Sequence, residues 1–265
     1  MNAATVRLLA LGLGFAFLYG PILWIVVFSF NDGRLVTLWS GFSSRWYGEL
    51  LRNQRLMDAA GLSLTVAAIS ATLAAVLGAL AGFALARLGR FRGRGLLAGA
   101  LGAVLTLPEV ILGLSLLLAF VSLDAVVGWP RRGVGTIVAA HATLGMAYVA
   151  MVVRARLADF DRSLEEAALD LGASPAAVFL TVTLPLILPA LGAGWLIAFM
   201  LSLDDVVLAS FVSGPGATTL PMVVFSSARL GLNPQINALA TIMVGIGAIV
   251  VFMGVRLLGR REKPR

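Results

Sequence analysis

Long apolar runs recur along this chain and restrict it to very few kinds of fold. Each run is about 18 residues or longer, enough to cross about 30 Å of hydrocarbon as a helix. Only 12% of the 265 residues are charged and 60% are hydrophobic, whereas about a quarter of the residues of a soluble domain carry a charge. The sequence therefore predicts an all-α, polytopic membrane protein built as a bundle of helices in the lipid bilayer.

The hydropathy pattern predicts six transmembrane helices. They fall at residues 8–30, 60–86, 96–122, 135–153, 188–211 and 235–257. The first follows Arg7 and continues through Trp24 to Phe30 without an early small-residue cleavage site, so we interpret it as an uncleaved anchor rather than a signal peptide. No internal repeat or low-complexity tract divides the series, and residues 1–265 are predicted to form a single membrane domain.

The distribution of basic residues predicts the orientation of the spans. Arg7, the 87–94 loop, the 154–187 loop and the C-terminal tail carry one, four, three and five basic residues, thirteen of the twenty. Because Lys and Arg accumulate on the cytoplasmic side, both termini and the 154–187 loop are expected there. On the outer side, residues 31–59 are expected to contain a short surface helix. Residues 212–234 are expected to open with a turn and continue as an apolar stretch too short to span.

The residue inventory excludes several classes of function. Without cysteine the chain has no disulfide, iron–sulfur or thiolate metal site, and its one histidine, His141, cannot form a metal-binding histidine cluster. A phosphate-binding G-x-x-x-x-G-K-[ST] loop is also missing. We therefore predict no cofactor and no enzymatic activity of the chain itself. The net charge of +7 is assigned to arginines that flank the spans, not to nucleic-acid binding.

The 154–187 loop contains clear helix start and stop signals in the stretch SLEEAALDLGASPAAVFLTVTLPLILPA. Ser163 and Glu166 have the spacing of a capping box, and Gly172 stands where a left-handed C-terminal residue would end the helix. Ser174 and Pro175 fit the start of a second helix. The loop is therefore predicted to be a helix, a tight turn and a second helix leading into span five.

Small residues at the exposed end of this loop suggest a docking surface. Ala167, Ala168, Gly172 and Ala173 would let another backbone approach closely. The physical argument alone leaves an equal alternative, in which the loop is an ordinary interfacial helix that covers the inner mouth of the bundle.

The same stretch resembles the E-A-A-x3-G-x9-I-x-L-P signature of ABC importer permeases. Here it reads Glu166-Ala167-Ala168, Gly172 and Val182-Thr183-Leu184-Pro185, with valine replacing isoleucine as the one departure. In that family the motif forms a coupling helix between spans four and five that sits in a groove of a cytoplasmic ATPase. The resemblance thus implies an ATPase-coupling role for six residues: Glu166, Ala167, Ala168, Gly172, Ala173 and Pro185.

Two further stretches resemble the permease subunits of spermidine/putrescine importers, and most of all the putrescine type. They are LPEVILGLSLLL and LSLDDVVLASFVSGPGATTLPMVVFSSARLGLNPQINALAT. This resemblance implies a bacterial inner-membrane protein that pairs with a second, different permease subunit. It also implies two copies of a cytoplasmic ABC ATPase and a periplasmic polyamine-binding protein as partners.

Three acidic residues fall inside predicted spans: Glu109 in span three, and Asp204 and Asp205 in span five. A charge at the bilayer centre costs about 2.5–3.5 kcal/mol, so these side chains are expected to face the interior or a wet cavity, where they would suit a cationic cargo. Adjacent helical residues differ in direction by about 100°, so Asp204 and Asp205 cannot share one path, and Asp204 and Glu109 are favoured. His141 is included as a further pathway candidate. For each of these four residues the alternative is a structural role, as a partner in a hydrogen bond within the fold.

Rival functions remain open at this point. Related permeases move ferric ion, sulfate, molybdate or other solutes on the same scaffold, since a fold does not determine its cargo. A stand-alone secondary transporter would use the acids for ion coupling, and a purely structural membrane scaffold would leave them unexplained.

Overall fold

The computed structural model describes residues 3–35, 38–230 and 234–259. It consists mainly of helices. In chain order they are α1 (Ala3–Phe28), α2 (Arg45–Arg52), α3 (Gln54–Arg87), α4 (Arg94–Thr106), α5 (Glu109–Val127), α6 (Val134–Ala158), α7 (Ser163–Asp170), α8 (Pro175–Val178), a π-helical segment (Phe179–Thr183), α9 (Leu184–Asp204), α10 (Val207–Val212), α11 (Leu220–Leu230) and α12 (Pro234–Gly259). Within those residues β-structure is limited to one isolated bridge between Asn31 and Phe42. The all-α prediction is confirmed.

Six helical stretches of the described chain are long and apolar enough to cross a membrane. They are Thr5–Phe28, Gln54–Arg87, Glu109–Val127, Val134–Ala158, Pro175–Asp204 and Pro234–Gly254. The predicted number is confirmed. The short helix expected within residues 31–59 is present as α2, and the apolar stretch predicted to be too short to span forms the 11-residue helix α11.

Predicted span three, residues 96–122, is wrong as a single helix. The chain forms α4 and α5 instead, because Pro108 interrupts the apolar run. Leu107 is extended, with ψ 139°, as expected for a residue before proline, and Pro108 has ψ 137°. Glu109 therefore lies at the first position of α5 and not in the middle of a span.

Predicted span five, residues 188–211, also has different bounds. Helix α8 continues through the π-helical segment into α9, and the Leu184 N–H donates to the Phe179 carbonyl five residues earlier. Pro185 follows and lacks an N–H to continue the α-helical pattern, which accounts for the local widening. At the other end α9 stops at Asp204, and Asp205 is extended with ψ 129°, so α10 is a separate short helix.

The chain packs as two compact units, residues 1–58 with 223–250, and residues 59–222 with 251–265. In the first unit, the Trp46 indole N–H of α2 donates to the Asn31 carbonyl at 2.7 Å. Both residues are buried, so this contact holds α2 against the end of α1. The single-domain assignment of residues 1–265 stays a prediction. Four of the basic residues used for the predicted orientation lie in 260–265, outside the described residues.

The second unit contains the candidate sites and is centred on α6. Glycines allow its neighbours to approach closely: a Cβ at Gly78 of α3 would lie 2.8 Å from the Met146 carbonyl oxygen, and a Cβ at Gly145 of α6 would lie 2.9 Å from Cβ of both Ala74 and Ala198. Small residues at such contacts are typical of membrane helix packing. They place α3, α6 and α9 in direct contact and give the attached loops a rigid base.

Candidate functional sites: an exposed loop and three acidic residues at helix breaks

Helix α7 and the turn after it stand out from the rest of the second unit. None of the residues of α7 is buried, and the Leu171 side chain that follows is 90% exposed. Gly172 has φ +85°, the Gly172 N–H donates to the Leu169 carbonyl at 2.9 Å, and the Ala173 N–H donates to the Ala168 carbonyl at 3.1 Å. These are the two hydrogen bonds of a Schellman motif, so the predicted left-handed stop at Gly172 is confirmed.

The start of α7 corrects the predicted capping box. Ser163 is the first helical residue and not the N-cap. The Ser163 N–H instead donates to Asp161 Oδ1 at 3.0 Å, and this hydrogen bond lowers the pKa of the Asp161 carboxyl. The second predicted start is confirmed, since Ser174 Oγ accepts from the Ala177 N–H at 3.3 Å with Pro175 in the first turn.

The six predicted coupling residues are all accessible from outside the chain. Exposed are Glu166, Ala167, Gly172 and Pro185, while Ala168 and Ala173 are partly exposed. At Gly172 itself, a Cβ would find nothing within 4 Å. This surface is therefore free to meet a partner.

A carboxylate that sequence reasoning missed ties α7 to the membrane helices. Glu165 Oε2 lies 2.8 Å from Arg87 Nε at the end of α3, and Thr183 Oγ1 donates to Glu165 Oε1 at 2.8 Å from the π-helical segment. Thr183 is buried and the Arg87 side chain is 9% exposed. The exposed loop is thus anchored at its first turn to two different spans. Only the pairing of distant residues reveals this, and no local pattern signals it.

The intramembrane acids meet where α5 begins and α9 ends. Glu109 is the first residue of α5 and Asp204 the last of α9, and both side chains are exposed. One turn further along each chain segment, Leu112 and Leu208 pack in the same buried cluster, which brings the two helix breaks together. Glu109 and Asp204 therefore lie at neighbouring helix breaks and are both exposed, and their place in a pathway stays a prediction.

Asp205 has a different environment from its neighbour, because it is 8% exposed and fully hydrogen-bonded. Its Oδ1 accepts from the Leu208 N–H at 3.2 Å and its Oδ2 from the Ala209 N–H at 2.7 Å, so it caps α10. Oδ2 also lies 3.0 Å from His141 Nε2. Both oxygens of the Asp205 carboxylate, which the sequence placed in a pathway, are therefore engaged in hydrogen bonds within the fold.

His141 is buried, at 4% exposed, between Asp205 and a pair of serines. The Ser202 hydroxyl lies 2.6 Å from His141 Nδ1 and 3.1 Å from the hydroxyl of Ser70 on α3. Because a carboxylate oxygen accepts, Nε2 carries the proton that is donated to Asp205 Oδ2, and in a neutral ring Nδ1 accepts from the Ser202 hydroxyl. His141 thus links α6 to α9 and to the break before α10, and is not accessible to a passing solute.

Replacing Asp205 by Asn should lower the stability of the protein. Both carboxylate oxygens accept from backbone N–H groups, so the amide NH₂ of an asparagine would face a donor whichever way it turned. A buried unsatisfied pair of this kind costs about 1–3 kcal/mol. Asp204→Asn is the matched control, since it makes the same change at an exposed side chain. Thermal unfolding of the two purified variants in detergent measures the difference, and equal midpoints would contradict the capping role of Asp205.

Known proteins resemble this chain over most of its length. Residues 74–264 match the family described as binding-protein-dependent transport system inner membrane component. The chain belongs to this family. It is 58% identical over 260 residues to the putrescine transport system permease protein PotI of Escherichia coli (strain K12), covering 98% of this chain and 92% of the relative. It is also 40% identical over 237 residues to the spermidine/putrescine transport system permease protein PotC of the same strain, covering 89% of this chain and 88% of the relative.

Solved structures show the same fold at low sequence identity. One chain of a bacterial ABC transporter that imports the acidic polysaccharide alginate superimposes with a TM-score of 0.72 at 17% identity, covering 98% of this chain and 96% of that one. With its family and its six apolar helices, the chain is a multi-pass inner membrane protein.

Proposed function

We propose that this chain is the permease subunit of an ATP-driven polyamine importer, with putrescine or spermidine as cargo. The observation that carries the proposal is the 58% identity to a putrescine permease across 98% of the chain. The alginate importer has the same fold with an acidic cargo, so the fold by itself does not select a cation. Whole-length similarity to two permeases named for polyamines does favour one.

The subunit transmits ATP hydrolysis to the membrane through its 154–187 loop. Glu166, Ala167 and Gly172 supply an exposed docking surface for a cytoplasmic ABC ATPase, and hydrolysis takes place on that partner. Through its contacts with Arg87 and Thr183, Glu165 transmits movement of the loop to α3 and to the π-helical segment that leads into α9. Pro185 marks the point where the π-helical segment passes into the span.

The cargo passes the carboxylates of Glu109 and Asp204. A polyamine carries spaced positive charges and sheds water as it enters a span, and charge attraction strengthens as the local dielectric falls. Both acids are exposed on the isolated chain, as a lining of the pathway requires. Asp205 and His141 act behind them by fixing the end of α9.

The working importer contains more than this chain. It comprises a second, different permease subunit, two copies of the ATPase and a periplasmic polyamine-binding protein, and each permease supplies half of the pathway. Both termini of this chain lie in the cytoplasm, on the same side as the ATPase. Residues 1–265 act together as one permease domain.

The assembly is tested by purifying the tagged chain in mild detergent from its native membranes. We expect an ABC ATPase and a second permease to co-purify at equal amounts of the two permeases. An unrelated tagged multi-spanning protein from the same membranes is the control. ATP-driven putrescine uptake by liposomes that contain this chain alone would contradict the proposal, as would gradient-driven uptake without any ATPase.

A further inference from the structure

A cavity of about 310 Å³ opens where the C-terminal ends of α3 and α6 meet the start of the 154–187 loop. Three arginines contribute to its wall, Arg87 from α3, Arg154 from α6 and Arg162 from the turn before α7, together with the Phe160 ring. All of these residues belong to the second unit. Three arginines at one opening give the cavity a positive character, although Arg87 is also paired with Glu165.

Hydrogen bonds and ion pairs within the fold satisfy only some of the guanidinium nitrogens of these three arginines. Arg87 Nε forms an ion pair with Glu165, but Arg87 Nη2 is buried and has no hydrogen-bond partner within the described residues. Arg162 Nη2 donates to the Ala86 carbonyl at 2.9 Å, a cap for the end of α3. In the part of the chain that the structure describes, no carboxylate lies within ion-pair distance of Arg154 or Arg162.

Helix capping alone does not account for the cluster. A cationic side chain at a helix C-terminus is favoured by the free carbonyls there, and this explains one nitrogen of Arg162. It leaves the buried Nη2 of Arg87 without an acceptor, and a buried guanidinium nitrogen is expected to have one. An anion in the cavity would supply an acceptor next to this nitrogen.

The chemistry and the position of the cavity favour a phosphate group. Arginine presents a planar fork of N–H donors that matches phosphate oxygens in pairs. The cavity lies at the ends of two membrane-spanning helices, and basic pockets at that depth on the cytoplasmic side bind the head groups of anionic lipids. We propose that Arg87, Arg154 and Arg162 form a phosphate-binding site, filled by an acidic phospholipid head group or by a free phosphate.

Occupancy of this site would act on the coupling loop. Arg87 holds Glu165 at the first turn of α7, and Arg162 directly precedes that helix. A bound phosphate would fix both arginines and so limit the movement of α7 relative to α3. This consequence rests on the proposed coupling function, whereas the binding itself does not, so the test measures binding.

The experiment uses the full chain purified in mild detergent and titrated with phosphatidylglycerol in native mass spectrometry. A phosphate-free glycolipid with the same acyl chains is the reference ligand. In the variant Arg154→Gln/Arg162→Gln we expect the dissociation constant for phosphatidylglycerol to rise at least tenfold. Arg90→Gln/Arg92→Gln is the matched control, because it removes two exposed arginines of the same membrane side that lie outside the cavity, and it should bind as the unmodified chain does.

A second arm distinguishes the two sources of phosphate. Inorganic phosphate is added while the thermal unfolding midpoint is recorded, and a rise that is lost in the cavity variant with no preference for phosphatidylglycerol would support the site and assign it to a soluble ligand. If the double variant folds poorly, Arg154→Gln alone serves, since Arg154 is exposed and this change keeps the hydrogen bond of Arg162 to the Ala86 carbonyl. Absence of binding by the unmodified chain, or equal binding by the chain and the cavity variant, would overturn the proposal. The arginines would then be assigned to an ion pair with an acidic side chain of a partner subunit.

Discussion

Replacing Gly172 by Asp should reduce ATP-driven uptake at least a hundredfold, equivalent to about 2.7 kcal/mol, while the chain still folds and inserts. Gly172 has φ +85° and a Cβ there meets nothing within 4 Å, so the new side chain has no neighbour in its own chain to displace. The turn is already held by backbone hydrogen bonds from Gly172 and Ala173. The positive φ strains an aspartate and an asparagine alike, so a loss seen with aspartate alone would arise at the proposed docking surface, where a carboxylate would be buried without a counter-charge.

Gly172→Asn is the matched control for this experiment. It has the shape of aspartate without the charge, and asparagine tolerates the left-handed conformation better than most residues. We expect it to keep most of the uptake. The measurements are radiolabelled putrescine uptake in cells lacking other polyamine importers, with surface expression checked, and ligand-stimulated ATP hydrolysis by the assembled transporter. Equal loss in both variants would trace the defect to the backbone and contradict a charge-sensitive docking contact at Gly172.

The number of spans follows from the sequence because hydropathy averages over many residues, and a bilayer admits few alternatives to a helix. The same averaging hides local interruptions. Pro108 breaks predicted span three through one missing N–H and one steric restriction on Leu107. Asp205 ends α9 because its carboxylate bonds to the amides that follow it. In both cases a single residue interrupts the helix although the residues around it are apolar. An acidic residue lies at each break, Glu109 at the first and Asp205 at the second.

The coupling loop shows where local patterns succeed and where they fail. Gly172 and Ser174 were correctly placed because turn geometry and capping depend on neighbours in sequence. The capping box at Ser163 was wrong because Asp161 competes for the same first-turn amides, and both residue types suit that role. The contact of Glu165 with Arg87 depends on how α3 packs beside the loop, which no local signal reports.

The adjacent acids could not be assigned from the sequence alone. Helical geometry showed only that Asp204 and Asp205 point in different directions. The partner of Asp205 is His141, far away in sequence and in reach only because α6 and α9 pack together. His141 is therefore hydrogen-bonded within the fold, which was the alternative to a place in the pathway. Glu109 and Asp204 remain the candidates for the pathway.

Removing the two exposed carboxylates together, as Glu109→Gln/Asp204→Asn, should reduce polyamine uptake at least a hundredfold. Each change keeps the shape of the side chain and removes one charge. A loss of tenfold for each corresponds to about 1.4 kcal/mol of transition-state stabilisation, a modest share of the attraction between a carboxylate and an amine in a partly dehydrated path. Assembly with the ATPase should be unaffected, because neither residue belongs to the 154–187 loop.

Two controls separate a role in the pathway from a role in folding. Asp124→Asn removes a carboxylate from the other end of α5 and should leave uptake unchanged if charge near the helix breaks is what matters. Asp205→Asn should lower uptake and thermal stability together, because its carboxylate caps α10, whereas the Glu109→Gln/Asp204→Asn protein should lose uptake at normal stability. The distinction is read from radiolabelled putrescine and spermidine uptake alongside the unfolding midpoint of each purified variant. Full uptake in the Glu109→Gln/Asp204→Asn variant would make these acids structural, and would favour a cargo whose passage does not depend on positive charge.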